Sequence, residues 1–102
     1  MKIKKEIEVQ VGEDGLVVFR EPTNQEWNDF VAERYSVGRH ARMKDNSEGA
    51  RAKLFDKLAV RFENLEDDAG EIKVDDKARI PMRLKASLVF TAFENNDIDV
   101  KN

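Results

Sequence analysis

Residues 6–19 read Glu6-Ile7-Glu8-Val9-Gln10-Val11-Gly12-Glu13-Asp14-Gly15-Leu16-Val17-Val18-Phe19. Ile3, Ile7, Val9 and Val11 stand at odd positions with Lys4, Glu6, Glu8 and Gln10 between them, and only Lys5 breaks the alternation. A period of two belongs to a strand with one buried face, because successive side chains point to opposite sides. Asp14-Gly15 between two apolar runs is a hairpin signal. Leu16–Phe19 is then the return strand, so residues 1–20 read as a β-hairpin with one apolar face to cover.

The cover comes from helical patterns downstream. Pro22 closes the strand, and Thr23-Asn24-Gln25-Glu26 fits a capping box, in which the threonine hydroxyl and the glutamate each take a free amide of the first turn. Trp27, Phe30, Val31 and Tyr35 follow at helical spacing as one apolar stripe, and Gly38 is a natural stop. Such a stripe reads as core before it reads as a ligand platform. Residues 39–49 are polar, either a loop or an extension of the first helix. Asp45-Asn46-Ser47-Glu48 is a second candidate capping box, and Leu54, Phe55, Leu58, Ala59, Phe62 and Leu65 carry a second helix from Ser47 or Glu48 through Glu63.

Residues 66–76 are acidic and turn-rich, with a short strand possible near 72–74. Pro81 suits the first position of a closing helix, whose apolar rows are Leu84, Leu88, Ala92 and Met82, Val89, Phe93. That helix ends near 94–96 and leaves a polar tail over 97–102. The expectation is one α+β domain: an N-terminal β-hairpin, with about three helices packed on it over the mainly helical stretch 23–96.

Composition narrows the chemistry. The chain has 102 residues, 40% apolar and 38% charged, with a formal charge of −3, no cysteine and one histidine. Disulfides, thiolate zinc sites and thiol catalysis are excluded, as is any multi-histidine metal site. His40 stands between Arg39 and Arg42 in the polar stretch and reads as a solvated histidine with no orienting partner. Placing Gly70 at the sixth position of a calcium loop puts Leu65 and Ala69 where oxygen ligands belong, so that motif fails. Gly12 and Gly15 flank a strand turn, not a helix start that receives phosphate. No catalytic, metal-binding or cofactor-binding residue is expected, and the chain does not read as an enzyme. The basic N-terminus has no apolar stretch behind it, and the longest apolar run is four residues, so neither a signal peptide nor a membrane span is expected. The default location is the cytoplasm.

Charge is unevenly placed. Residues 34–57 hold seven basic side chains against three acidic ones, a net +4, and residues 61–78 reverse those numbers to −4. Opposed segments suit either phosphate binding or association between copies.

Three stretches carry a family resemblance: Phe19-Arg20-Glu21-Pro22-Thr23-Asn24-Gln25-Glu26-Trp27, Asn64-Leu65-Glu66-Asp67-Asp68-Ala69-Gly70 and Arg79-Ile80-Pro81-Met82-Arg83-Leu84-Lys85. In this order, over about residues 7–94, the chain resembles the small tail assembly chaperones of long-tailed bacteriophages and prophages. The resemblance implies a non-enzymatic factor in the bacterial host cell that binds tape measure and tail tube proteins and sometimes forms homo-oligomers. A tape measure chaperone needs an accessible apolar groove, for which the candidates are Leu54, Leu58, Phe62, Val89, Phe90 and Phe93. The competing reading is that all six are core. Phe90 lies off both main rows, so it either widens the buried face or stays exposed. Two alternatives remain. One is a small nucleic-acid-binding regulator using Arg39, Arg42, Lys44, Arg51 and Lys53, disfavoured by the net negative charge. The other is a structural morphogenesis protein retained in the particle.

Overall fold

Val17, Val18 and Phe19 are completely buried, and a strand buried in this way needs hydrogen-bonding partners on both edges. The computed structural model describes residues 6–37 and 43–95 and supplies both partners. Strand β1 (Glu6–Val11) pairs antiparallel with β2 (Gly15–Arg20) in the register Ile7 to Phe19 and Val9 to Val17. The other edge of β2 is taken by β5 (Ala59–Glu63), also antiparallel, with Val18 opposite Arg61 and Phe19 opposite Ala59. Val60 is the extra residue where the register shifts. The second helix therefore stops at Leu58 rather than running through Glu63. Phe62 and Leu65 satisfy a helical period, but strand pairing with β2 wins over residues 59–63.

The hairpin connection is sharper than Asp14-Gly15 alone suggests. Gly12 adopts φ +68°, where a side chain is strained. Gly15 begins the return strand, and a Cβ there would lie 2.5 Å from the Val11 carbonyl oxygen. The portion of the alternation before Glu6 lies outside the described residues.

Helix α1 (Asn24–Arg34) opens with the expected capping box: Thr23 Oγ1 accepts from the Glu26 amide at 3.1 Å, and Glu26 Oε1 accepts from the Thr23 amide at 2.9 Å. Arg20 at the end of β2 donates to both Glu26 oxygens at 2.8 and 2.7 Å, which fixes the angle between sheet and helix. The helix ends one residue before Tyr35, which opens β3 (Tyr35–Val37). β3 pairs with β4 (Met43–Asp45) as a two-stranded ribbon. The stripe read as core thus divides: Phe30 is buried and Trp27 packs beside it, whereas Val31 and Tyr35 are 48% and 47% exposed. Gly38 and His40 lie outside the described residues, as does the tail after Asn95.

Helix α2 (Ser47–Leu58) starts where its pattern begins, but no side chain of Asn46 caps it. Asp45 accepts from the Ser47 amide at 2.8 Å instead, and those bonds hold its carboxyl below the ordinary aspartate range. After β5 come β6 (Glu66–Asp67) and β7 (Gly70–Glu71), a two-residue hairpin lying before the 72–74 position expected for a strand. Ile72 turns inward, and Val74–Arg79 forms a short 3₁₀ segment. Pro81 precedes helix α3 (Met82–Val89), and Phe90–Glu94 continues it as a π-helical turn.

The core lies between the inner face of the sheet and α1, α2 and α3, with Phe19 at its centre. The Phe19 ring meets Phe55 edge-on at 5.5 Å and Phe93 at 5.6 Å. Phe93 reaches Trp27 at 6.4 Å, and Trp27 reaches Phe30 at 5.0 Å. Lys85 is buried by residue area, with its Nζ 2.7 Å from Asp56 Oδ1 and over the Phe55 ring at 5.7 Å. This arrangement bears out the mixed α+β class, with a third strand added to the hairpin.

Replacing Phe19 by Ala removes a ring with no solvent exposure and leaves a cavity, a loss of about 3–5 kcal/mol for such changes. A domain of this size has only about 5–15 kcal/mol in total, so the expected outcome is a large fall in the urea midpoint at 25 °C with the slope of the transition unchanged. The Arg20 guanidinium, with the Thr23 amide, pulls the Glu26 carboxyl from 4.5 to about 2. A lowered folded-state value stabilises fully above the unfolded value and is lost as pH falls toward 2. Glu26→Gln should therefore lower Tm at pH 7, and its difference from the parent should shrink between about pH 4.5 and 2. A constant difference across that window would show that the charge is not the source.

Candidate functional site

Arg79, the last residue of the 3₁₀ segment, ties the acidic turn to the chain just before α3. Arg79 donates through Nε to Asp67 Oδ2 at 3.2 Å and through Nη2 to Asp67 Oδ1. It also donates to the carbonyls of Glu71 and Gly70, both at 3.0 Å. This fork closes the β6–β7 hairpin against the helix, and it holds the Asp67 carboxyl below the ordinary range. Two further bonds complete the frame. The Ile72 amide donates to the Leu65 carbonyl at 2.8 Å, and Asn64, at φ +56°, donates its side-chain amide to the Asp14 carbonyl of the hairpin loop at 3.1 Å.

Inside that frame is a cleft of about 230 Å³. Its lining is almost wholly apolar: Val11 from the hairpin, Leu65 and Ile72 from the acidic turn, and Ile80, Leu84 and Leu88 around Pro81. Leu84 stands at the mouth, 38% exposed, and Asp67, Arg79 and Glu66 form a charged rim. Small-molecule sites occupy about 300 Å³ or more, so this space suits one side chain of a protein partner better than a free ligand. Glu66, Asp68 and Glu71 are exposed nearby, which favours basic residues around an apolar anchor.

The six residues proposed from sequence do not make one groove. Leu54, Leu58 and Val89 are buried in the core and offer no surface in this conformation. They face the sheet and each other, where an apolar side chain is most stable. Phe62 is half-buried on β5, 6.0 Å from Phe55. Phe93 floors an open depression with Trp27 and Pro22. Phe90 is the exposed one, at 44%, with the Arg51 guanidinium 5.3 Å from its ring centre.

Of the basic candidates, Arg51 is bound to Glu94 at 2.5 and 3.3 Å, and Lys53 lies 3.2 Å from Glu33. Arg39 and Arg42 lie outside the described residues, and of Lys44 only its backbone place in β4 is described. Among the described residues no group of acidic or histidine side chains is arranged to hold a metal, and no helix is long and apolar enough to cross a membrane.

Sequence reading missed the cleft because Leu65, Leu84 and Leu88 were each assigned to a helical core row. The available signal was that two of the three quoted stretches, 64–70 and 79–85, both carry cleft residues and are joined by Arg79. Comparison with protein-family models, characterised proteins and solved structures finds no match for this chain.

Arg79→Ala should free the hairpin without unfolding the sheet. The expected result is faster amide hydrogen exchange over residues 66–72 with protection in β1 and β2 unchanged. Uniform loss of protection would show that Arg79 supports the whole fold and not the cleft rim.

Proposed function

We propose that this chain is a non-enzymatic assembly factor that binds other proteins, a tail assembly chaperone of a phage or prophage acting in the host cytoplasm on tape measure or tail tube subunits. The observation that carries this reading is the apolar cleft with its acidic rim, sized for a partner's side chain. Part of its lining, Leu65, Glu66, Asp67, Arg79, Ile80, Pro81 and Leu84, falls in two of the stretches that resemble the tail chaperones. The resemblance implies a hydrophobic tape measure protein as partner, whose apolar side chains need cover before assembly. A shallow, apolar, charge-rimmed cleft supplies cover that is reversible, because its small area limits the affinity.

Nucleic-acid binding has less support. Arg51 and Lys53 are already committed to carboxylates, and each such pair cancels charge that phosphate contacts require. A structural role inside the particle is separated from a chaperone role by one observation, the presence or absence of the chain in purified virions.

The direct test is co-expression with a phage tape measure protein. The tape measure should stay in the soluble fraction with the parent chain and pellet without it. Leu84→Glu, which puts a charge in the cleft mouth, should reduce the soluble share at least fivefold while the variant itself stays folded. Equal solubilisation by parent and variant would remove the cleft from the mechanism. A gene neighbourhood of repressor and integrase genes would sink the chaperone reading altogether.

A further inference from the structure

The alternation that opens the chain has one exception, Lys5, which stands where an apolar residue belongs. Ile3 and Lys5 are two residues apart, so in an extended segment they share a face while Lys2 and Lys4 point to the other. That face presents an isoleucine and, about 7 Å further along, a cation. Both residues precede Glu6, the first described residue.

The cleft beside α3 has the matching layout. It shares Leu65 and Glu66 with a second depression of about 340 Å³, which Asp14, Asn64 and Glu71 complete. An apolar hole and an acidic one therefore lie side by side. The second lining holds three carboxylates and no cation. Asp14, Glu66 and Glu71 form no ion pair among the described residues. Arg79, the cation of the cleft rim, is engaged with Asp67 and lies 3.7 Å from Asp76.

The chain's own Ile3 falls short of this cleft. Val11, on the cleft wall, is at the far end of β1, about 17 Å along an extended strand from Glu6. The three residues from Ile3 to Glu6 span at most about 11 Å. A second copy has no such limit, since its β1 start and this cleft belong to different molecules. The other segments outside the described residues match the layout less well. Residues 38–42 are basic but offer only Ala41 as an apolar anchor, and Ile98 is flanked by Asp97 and Asp99, which the carboxylates repel.

We propose that Ile3 of one copy enters the cleft of the next, with Lys5 set over Asp14, Glu66 and Glu71, so that copies join head to tail. The contact uses two different patches of the molecule, and a contact of that kind closes into a ring or runs on as a filament. It rests on the reading of the cleft as a site for a protein side chain. It also sets neighbouring copies in competition with any other protein that the cleft takes.

The test is sedimentation velocity on the untagged full chain at low salt, over a wide range of concentration. The weight-average mass of the parent should rise with concentration and fall back toward the monomer at high salt, which screens the lysine contact. Ile3→Ser, Lys5→Glu and Leu84→Glu should each associate at least tenfold more weakly. Mixed in equal amounts, Ile3→Ser and Leu84→Glu should form a 1:1 heterodimer and stop there, because the first keeps its cleft and the second keeps its Ile3. If circular dichroism shows Leu84→Glu unfolded, Glu66→Lys takes its place on the cleft side. A parent that stays monomeric overturns the proposal, as does an Ile3→Ser variant that associates like the parent or a mixture that forms no heterodimer. The cleft reading is tested separately, since Ile3→Ser should still keep a tape measure protein soluble. Solubilisation lost in Leu84→Glu, with association unchanged in Ile3→Ser, ends the head-to-tail contact and leaves the cleft reading standing.

Discussion

The rest of the molecule is arranged around the burial of β2. A strand whose residues 17–19 have no solvent exposure must have its backbone groups paired on both edges and its inner side chains covered by helices. β1 and β5 meet the first demand, and α2, α3 and the π-helical turn meet the second. Phe19 links them, since its ring is edge-on to one aromatic from α2 and one from the end of α3. Edge-to-face rings place the positive rim of one against the negative face of the other, so the contact sets an angle as well as a distance. The Arg20–Glu26 fork then fixes how α1 leaves the sheet, one residue after that ring.

What sequence revealed and what it concealed follow one physical division. The hairpin and the Thr23 cap were legible because alternation, a turn glycine and a hydroxyl three residues before a glutamate are local signals. β5 was not, because Leu58, Ala59, Phe62 and Leu65 fit a helical period and only the vacant edge of β2 decides otherwise. Tyr35 sits at helical spacing from Val31, yet the backbone turns extended there to form a ribbon with residues 43–45. The second capping box, from Asp45 to Glu48, does not form: the helix opens at Ser47, one residue late for an Asp45 cap, and Asp45 accepts from the Ser47 amide rather than from that of Glu48. The candidate surface was the least legible. The cleft depends on Arg79 bonding carbonyls eight and nine residues before it, a pairing that no local pattern announces.

The opposed charge segments acquire a spatial meaning in the fold. Glu66 and Asp67 stand at the cleft rim, while Arg34 and Arg51 meet on Glu94. Each place mixes the two signs, since Arg79 binds Asp67 at the cleft rim and Arg34 and Arg51 bind Glu94.

The contact between Phe19 and Phe93 joins residues 74 positions apart. A ribosome adds residues from the N-terminus, so the hairpin is made early and its apolar face waits for the last helix before it is covered. Loop closure over that distance precedes the gain from packing, which makes final docking a late step of folding. Until residue 93 has left the exit tunnel, the side of Phe19 that Phe93 covers stays open, even once α2 and β5 are in place. The newborn chain thus passes through a stage in which it needs the same protection from apolar contact that the proposed reading has it give to others.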